Sequence, residues 1–380
     1  MKFAHLADLH LGMIVNHVSM AEEQKHILKE IVEILVEEKP DALLIAGDVY
    51  DKAVPSVEAV NLLDDFLTDL AGHHIRTYLI AGNHDQGDRL AYGGHLLAGQ
   101  GIHICGNFMG KMDHDILTDD FGEVHVWLLP YIRPSYVNRY LDEDDRVGSY
   151  QQAVARAIAM SDVDFSKRNV IVSHQFVTGA KVDPLGSEQL IVGGLDQISA
   201  SVYDGFDYAA LGHIHHRQQL GRNVFYAGTP LAYSFAEENQ QKALGFVELK
   251  EKGMVRVYTR LLTPLHHMRT IEGYYKEILS AASEDENKED YVRFVLHDNQ
   301  EQPDAIRYLR ELYPNAMRLD YDNERTRAEM ILPVNTMQTM SPSDLFARFY
   351  KERNGIEMSE EQISYLKDQI DEIWNGGEQA

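Results

Sequence analysis

The feature that most constrains this chain is a pattern repeated through its first 230 residues. Each repeat has a short apolar run that ends in Gly, Asp, His or Asn, and helical patterns lie between the runs. The apolar runs are Lys2–Ala7, Ala42–Ala46, Thr77–Ala81, Val170–Ser173, Tyr208–Leu211 and Val224–Ala227. Strands that alternate with helices predict a layered α/β core in which helices cover a sheet.

Three segments between these runs have apolar side chains at helical spacing. The first stripe consists of Ile27, Leu28, Ile31, Ile34 and Leu35, and the second of Val57, Val60, Leu63, Phe66, Leu67 and Leu70. The segment Gln151–Met160 predicts a third helix.

The pattern changes in the C-terminal part of the chain. A domain boundary is expected near Leu261–Thr270, and the acidic stretch Ser280–Asp290 reads as a solvated turn or linker. The elements predicted after it are strand Tyr291–His297, helix Pro303–Tyr313, strand Ala316–Tyr321 and strand Glu329–Pro333. We therefore predict a main domain at 1–265, a small α+β cap at 266–340 and a helical tail at 341–380, whose helices begin near Ser341 and Ser359.

The composition limits which partners the chain can bind by itself. It has 60 acidic and 35 basic residues, a net charge of −25, so a uniformly basic nucleic-acid surface is excluded. A phosphate-bearing substrate must therefore meet local positive charge, bound metal ions or a partner chain. The single cysteine excludes an internal disulfide, and no apolar run approaches the ~20 residues of a membrane span. These features predict a soluble, cytoplasmic protein.

Side chains typical of metal sites follow five of the predicted strands. The segments are Asp8-Leu9-His10, Gly47-Asp48-Val49-Tyr50-Asp51, Gly82-Asn83-His84-Asp85, His174 and Gly212-His213-Ile214-His215. Ligands bind at the carboxyl ends of strands in open α/β sheets, so one shared site is expected. The spacing in Asp8-x-His10 and His213-x-His215 predicts that both members of each pair lie on one side of an extended segment.

The residue types indicate the chemistry of this site. Imidazole, carboxylate and amide oxygen together suit a first-row divalent ion such as Mn²⁺, Fe²⁺ or Zn²⁺. The candidate ligands are Asp8, His10, Asp48, Asn83, His174, His213 and His215, enough for two ions that share a carboxylate. Two such ions ~3.5–4 Å apart are the machinery of phosphoester hydrolysis. We expect His84 to face the substrate and protonate the leaving alkoxide, with Asp85 orienting its ring.

Taken together and in this order, the five motifs resemble the calcineurin-like metallophosphoesterase superfamily, over residues 1 to about 235. Four segments resemble more narrowly the bacterial SbcD family of nuclease subunits, the bacterial counterpart of the double-strand-break repair nucleases. These segments are Ala7–Gly12, Gly47–Asp51, Phe206–His215 and Tyr226–Phe235. The resemblance implies a two-sheet α/β sandwich with a small α+β cap domain and a C-terminal helical tail. Lys52 departs from archaeal members, which carry a histidine there, so it receives no catalytic role.

The resemblance also implies roles and partners. Asp8, His10, Asp48 and His215 would hold one Mn²⁺ ion, and Asp48, Asn83, His174 and His213 the other, with His84 acting on the leaving 3′ oxygen. The implied activity is Mn²⁺-dependent 3′–5′ exonuclease cleavage of double-stranded DNA and endonuclease cleavage of single strands and hairpins, in repair, recombination and replication. The implied partner is the SbcC ATPase with its long coiled coil, bound by the tail, in a heterotetramer that contains a homodimer of this chain. The chain has no P-loop motif, so ATP control requires another polypeptide.

Two other functions fit the same residues. The first is a metallophosphatase or cyclic-nucleotide phosphodiesterase, which would hydrolyse small phosphoesters but not DNA ends. The second is a scaffold subunit with a vestigial nuclease site, against which the intact ligand set and His84 argue. The role of Asp51 is open: it either orients a ligand or simply lies near a helix N-terminus. The apolar stripes of the tail could also pack on this chain's own core.

Overall fold

The computed structural model describes residues 1–182 and 196–323, with residues 346, 347, 350, 351, 358, 359 and 362–366. Its strands are β1 Lys2–Leu6, β2 Ile14–Val15, β3 Val18–Ser19, β4 Ala42–Ala46, β5 Thr77–Ile80, β6 Ile102–Cys105, β7 Asp113–Asp119, β8 Gly122–Leu129, β9 Arg168–His174, β10 Phe176–Val177, β11 Gln197–Ile198, β12 Tyr208–Gly212, β13 Gln218–Leu220, β14 Val224–Tyr226, β15 Ala243–Leu249, β16 Val255–Leu261, β17 Met268–Gly273, β18 Tyr291–Leu296 and β19 Ala316–Tyr321. Its α-helices are α1 Ala21–Glu38, α2 Val57–Gly72, α3 Gly87–Leu90, α4 Gly94–Ala98, α5 Pro134–Val137, α6 Tyr150–Ala159, α7 Tyr275–Ala281 and α8 Ala305–Leu312. Short 3₁₀ turns lie at Asn138–Tyr140, Glu143–Asp145, Ala200–Tyr203 and Phe235–Glu237.

Two six-stranded sheets form the centre of the main domain. The first has the order β16-β15-β1-β4-β5-β6, and its strands β1, β4, β5 and β6 are parallel. The second has the order β13-β14-β12-β9-β8-β7, with β14, β12, β9 and β8 parallel. Antiparallel strands lie at the edges: β15 and β16 in the first sheet, β13 and β7 in the second.

The sheets face each other through a dry core. Phe3 and Leu44 of the first sheet pack in one cluster with Val126, Val172 and Ala210 of the second, and all five are fully buried. Successive side chains of a strand point to opposite faces, so the alternate residues pack outwards against helices. Helices α1 and α2 cover the first sheet and α6 covers the second. The layers are therefore helix, sheet, sheet and helix, which confirms the predicted two-sheet α/β sandwich.

All six strands predicted from apolar runs are present, with ends that differ by one or two residues. The edge hairpin of β7 and β8 was not predicted from the sequence. Strand β7 reads Asp-His-Asp-Ile-Leu-Thr-Asp and is mostly solvent-facing, so it lacks the apolar run that marks a buried strand. The antiparallel pair β15 and β16 of the first sheet was also not predicted.

The C-terminal region contains a three-stranded sheet, β17-β18-β19, with helices α7 and α8. The predictions for β18, α8 and β19 are confirmed, whereas β17 and α7 were missed. The predicted strand Glu329–Pro333 lies outside the described residues, as does most of the predicted tail, in which residues 362–366 are helical. The predicted domain boundaries at 265 and 340 stay predictions.

By their contacts, the described residues of 1–295 and 304–320 group into one compact unit, and the described residues of 296–303 and from 321 onwards group into a second. The site described below lies within the first unit. Among the described residues, no helix has the length and apolarity that crossing a lipid bilayer requires.

Candidate metal centre

The seven predicted ligand residues lie in one cluster at the carboxyl ends of strands from both sheets. They are Asp8, His10, Asp48, Asn83, His174, His213 and His215, and all except the half-buried Asn83 are buried. His174 is the last residue of β9, and His213 directly follows β12. Asp8, Asp48 and Asn83 occupy the loops after β1, β4 and β5. Whether these residues bind metal stays a prediction, but the fold does bring them together.

The carboxylate of Asp48 lies at the middle of the cluster. Its Oδ2 atom is 3.3 Å from His174 Nε2 and 3.8 Å from His10 Nε2. The Nε2 atom of His84 is 4.0 Å from the same oxygen. Two groups of possible ligands therefore share Asp48: one with His10 and His84, the other with His174 and His213, and within each group the ligand atoms lie within 4.8 Å of one another. This geometry suits a carboxylate that bridges two ions.

The remaining predicted ligands contact the histidines of these two groups. The side-chain oxygen of Asn83 is 2.9 Å from His174 Nε2 and 2.8 Å from His213 Nδ1. On the other side, the Nε2 atoms of His10 and His215 are 3.1 Å apart. Asp8 accepts a hydrogen bond from the backbone N–H of His213 at 2.9 Å, so it links the loop after β1 to the loop after β12.

The backbone at four of these residues is left-handed. The φ angles are 53° at Asp8, 44° at His10, 49° at Asp48 and 99° at His213. The expectation that Asp8-x-His10 and His213-x-His215 are extended segments is therefore wrong, although their side chains do reach the site. Left-handed backbone costs a non-glycine residue ~1–2 kcal/mol and is concentrated at functional sites.

Two glycines allow this close packing for different reasons. Gly47 has a φ of 88°, a left-handed backbone conformation that glycine adopts without strain. Gly82 is needed for space, since a Cβ atom there would lie 2.1 Å from the Asp48 carboxylate. The loop after β5 can therefore approach the loop after β4 only with glycine at position 82.

Burial and neighbouring charges shift the pKa values of several residues in the cluster. Burial raises the pKa of Asp8 to about 7. Burial also lowers the pKa of His213 to about 3 and that of His10 well below its usual value, so both rings are neutral and keep a lone pair. At Asp48, burial alone would raise the pKa, but the imidazoles of His174, His10 and His84 outweigh it and hold the pKa well below its usual range. In turn, Asp48 raises the pKa of His174 to about 9 against the effect of burial.

Three buried polar atoms of the cluster have no hydrogen-bond partner among the described residues. They are Asp8 Oδ2, His10 Nδ1 and His213 Nε2. Buried polar atoms are normally satisfied, so an unpaired set of one carboxylate oxygen and two imidazole nitrogens indicates a missing partner. Together with the amide oxygen of Asn83, these atoms are the donors that first-row divalent ions prefer. The residues present therefore fit the divalent metals that the sequence predicts.

The contacts of His84 require one correction. Its Nδ1 atom is 2.8 Å from the backbone carbonyl oxygen of Asp51, which can only accept, so Nδ1 carries the hydrogen and Nε2 faces the cluster. The predicted role of Asp85 in orienting this ring is wrong. The Asp85 carboxylate instead accepts hydrogen bonds from the backbone N–H groups of Val49, Tyr50 and Gly82.

Asp85 therefore holds the loops after β4 and β5 together. It is a structural support of the site rather than a partner of the His84 ring, which is oriented instead by the Asp51 carbonyl.

Several residues that support the predicted ligands were not predictable from the sequence motifs. Glu237, fully buried, lies 3.6 Å from His215 Nδ1 and accepts a hydrogen bond from Lys242 at 2.6 Å. Gln24 of α1 donates to the carbonyl oxygen of His10 at 2.7 Å, and Tyr233 donates to the carbonyl of Leu9. The segment Tyr226–Phe235 was singled out in the sequence and contains Tyr233, but Glu237 and Gln24 stand in no motif.

The comparisons with known proteins indicate the same kind of site. The family model described as calcineurin-like phosphoesterase matches residues 1–217, and the chain belongs to that family. It is therefore a hydrolase of the metal-dependent phosphoesterase class, as predicted. A second model, SbcD_C, described as the type 5 capsule protein repressor C-terminal domain, matches residues 264–354.

The similarity extends to particular proteins. The SbcD subunit of the SbcCD nuclease from Staphylococcus epidermidis (strain ATCC 12228 / FDA PCI 1200) is 29% identical over 374 residues, which covers 97% of each chain. The predicted resemblance to the bacterial SbcD nuclease subunit is thus confirmed. Among solved structures, a dimetal phosphatase from Danio rerio is 14% identical, over 69% of this chain and 96% of that one, with a TM-score of 0.38. The structure of TT1561 from Thermus thermophilus is 12% identical, over 68% and 98% of the two chains, also with a TM-score of 0.38.

Proposed function

We propose that this chain is the nuclease subunit of an SbcCD-type complex and that it cleaves phosphodiester bonds of DNA with two Mn²⁺ ions. The observation that carries the proposal is the position of Asp48, whose one carboxylate faces two groups of histidines. The similarity to the staphylococcal nuclease subunit over 97% of both chains supports DNA as the substrate. The activities proposed are 3′–5′ exonuclease cleavage of duplex ends and endonuclease cleavage of single strands and hairpins.

We assign the ligands in two sets that share Asp48. The first set is Asp8, His10, Asp48 and His215, and the second is Asp48, Asn83, His174 and His213. Divalent ions held by these residues would polarise the phosphoryl group and stabilise the charge that develops on it. The neutral rings of His10 and His213 and the carboxylate of Asp48 supply the charge and lone pairs that such ions require.

His84 acts on the leaving group. Its Nδ1 hydrogen is engaged by the Asp51 carbonyl, so Nε2 is the nitrogen available to the substrate, 4.0 Å from Asp48 Oδ2. A water molecule attacks phosphorus and forms the new P–O bond as the bond to the 3′ oxygen breaks. The electron pair passes to that oxygen, which takes the proton that the imidazolium form of His84 carries on Nε2. General-acid assistance of this kind contributes ~10²–10⁴-fold to rate.

The test of this proposal is the variant His84→Ala. With Mn²⁺ and end-labelled duplex or hairpin DNA, cleavage should fall by ~10²–10⁴-fold, while the metal content of the protein stays unchanged. The exposed surface residue His95 offers a matched control, because His95→Ala should cleave like the parent protein. Labels at the 5′ and 3′ ends read out the polarity. Full activity of His84→Ala would reject the assignment, and hydrolysis of small phosphodiesters without any DNA cleavage would favour a metallophosphatase or cyclic-nucleotide phosphodiesterase instead.

We also propose a cytoplasmic complex with the SbcC ATPase, in which the segment 341–380 binds the base of the SbcC coiled coil and this chain forms a homodimer. The relative's name, which assigns it to an SbcCD complex, and the apolar stripe around Ile363 and Leu366 in the sequence support this partner. Deleting 341–380 should abolish co-purification with SbcC but leave cleavage of short DNA intact. Unchanged co-purification would reject the assignment of the tail.

A further inference from the structure

A groove of about 530 Å³ opens directly beside the metal centre. Its aromatic and basic walls are formed by Phe108, Tyr131, Arg133, Tyr136, Arg139 and Tyr140. We propose that this aromatic groove binds an unpaired nucleotide of the strand being cut, next to the cleaved phosphate. The inference rests on the proposed nuclease function and adds the part of the substrate that the site recognises.

The groove is continuous with the metal centre. Asn83, one of the proposed ligands, lines both. The ring of Tyr131 lies nearly parallel to that of His213, at an interplanar angle of 18° and a centroid distance of 6.4 Å. The backbone N–H of Tyr131 donates to the carbonyl of Ala81, which fixes the wall of the groove to the end of β5. A phosphate held at the metal centre therefore has its neighbouring nucleotide at the mouth of this groove.

The groove is lined by two arginines that form no ion pair with any described residue, although Asp85 and Asp88 line it as well. The Arg133 guanidinium lies 5.7 Å from the centre of the Tyr131 ring, and that of Arg139 lies 5.3 Å from the centre of the Tyr136 ring. Both arginines are exposed, and in the described part of the chain neither has a carboxylate oxygen within 4.0 Å. In a chain with a net charge of −25, unpaired arginines beside the site mark where a polyanion can approach.

The aromatic rings of the groove offer faces against which a base can stack. Tyr140 is 41% exposed, and its ring is held edge-on against the buried Phe108 at a centroid distance of 5.8 Å. Tyr136 is half-buried and lies under Arg139. Aromatic faces combined with arginines are how proteins hold single-stranded nucleic acid, because every base has a face that can stack. Bases inside a duplex have both faces covered, so this groove selects an unpaired nucleotide.

Other arginines near the predicted loops do not share this arrangement. Arg217 is largely buried beside Tyr208, and burial lowers the pKa of its guanidinium. Arg222 donates a hydrogen bond to the carbonyl of Gly253 and lies among residues that do not line the groove. Of these four arginines, Arg133 and Arg139 are thus the two that line the groove beside Asn83.

The test uses the full chain with Mn²⁺ and two single-stranded oligonucleotides of equal length. One has normal bases throughout, and the other has abasic residues at its last two 3′ positions. The parent protein should bind and cleave the normal strand better than the abasic one, with a KM lower by about tenfold. Tyr140→Ala should remove this preference by raising KM for the normal strand only. Arg139→Ala should raise KM for both strands together, because it removes a contact to the phosphate.

Arg222→Ala is the matched control, since it removes an exposed arginine outside the groove and should leave both KM values unchanged. Fluorescence anisotropy of the labelled strands measures binding independently of turnover, so the groove is tested even where no cleavage is observed. Equal binding of normal and abasic strands by the parent, or an unchanged preference in Tyr140→Ala, would overturn the inference. A parent protein that binds the normal strand selectively but cuts no DNA would instead reject the proposed nuclease function and leave the groove supported.

Discussion

At the scale of single residues, the most informative side chain is one that touches no substrate. Glu237 is fully buried beside His215, and Lys242, Thr229 and Ser234 donate hydrogen bonds to its two oxygens. Burial by itself would raise the pKa of Glu237, but His215 and Lys242 hold it at about 2, so the carboxylate is ionised. A carboxylate next to one nitrogen of a ligating histidine fixes the ring orientation and leaves the other nitrogen free.

We therefore predict that Glu237→Gln weakens metal binding without changing any ligand. The affinity for Mn²⁺ should fall by about 10–100-fold, since the amide holds the His215 ring less firmly. Titration calorimetry with Mn²⁺ measures this, and a thermal melt of the metal-free protein separates it from loss of folding. Glu251→Gln, at an exposed turn, is the matched control. An unchanged affinity in Glu237→Gln would show that His215 needs no support from this carboxylate.

At the scale of elements, the six strands predicted from apolar runs and the site loops were predictable for the same reason. Strands buried on both faces read as continuous apolar runs, and the polar residues at their ends stand out against them. Tertiary contacts were not predictable, because a sequence pattern reports only near neighbours. Glu237 lies 22 positions from His215 and Gln24 lies in α1, and nothing in the sequence connects either with the site. The left-handed backbone at Asp8 and His10 was not predictable either, because an Asp-x-His spacing is also typical of an extended segment.

The loops after β4 and β5 depend on one another through Asp85, and this gives a second prediction. Asp85→Asn replaces one carboxylate oxygen with an N–H₂ group that cannot accept from the backbone of Val49, Tyr50 or Gly82. The free energy of unfolding should fall by about 1.5–3 kcal/mol, as for hydrogen bonds to a charged group. Urea denaturation measures the loss, with Asp88→Asn as a control on the exposed helix that follows. If Asp85→Asn kept the parent's stability and lost only activity, Asp85 would be a catalytic partner of His84 after all.

At the scale of the whole molecule, the two sheets are also joined through Arg168. Its guanidinium binds the Asp119 carboxylate of β7. It also donates to the carbonyl oxygens of Leu249, the last residue of β15, and of Lys250. Arg168 is the first residue of β9, and His174 of the candidate metal centre is the last. The contacts of Arg168 and the candidate site therefore lie at opposite ends of one strand. The sandwich thus has a polar clamp at one end and the candidate metal-binding cluster at the other.

The clamp predicts how acid destabilises the protein. Arg168 holds the pKa of Asp119 well below its ordinary value of 3.8, so the stabilisation is fully present above about pH 4 and is lost as the pH falls through the lower, folded-state pKa. Asp119→Asn should therefore cost about 1–2 kcal/mol at pH 7, and its difference from the parent should shrink as the pH falls below 4. Urea midpoints measured between pH 7 and pH 3 test this. Asp162→Asn breaks the exposed pair with Lys111 and should change stability little at any pH. A difference between Asp119→Asn and the parent that stayed constant across this range would mean that the clamp acts by packing rather than by charge.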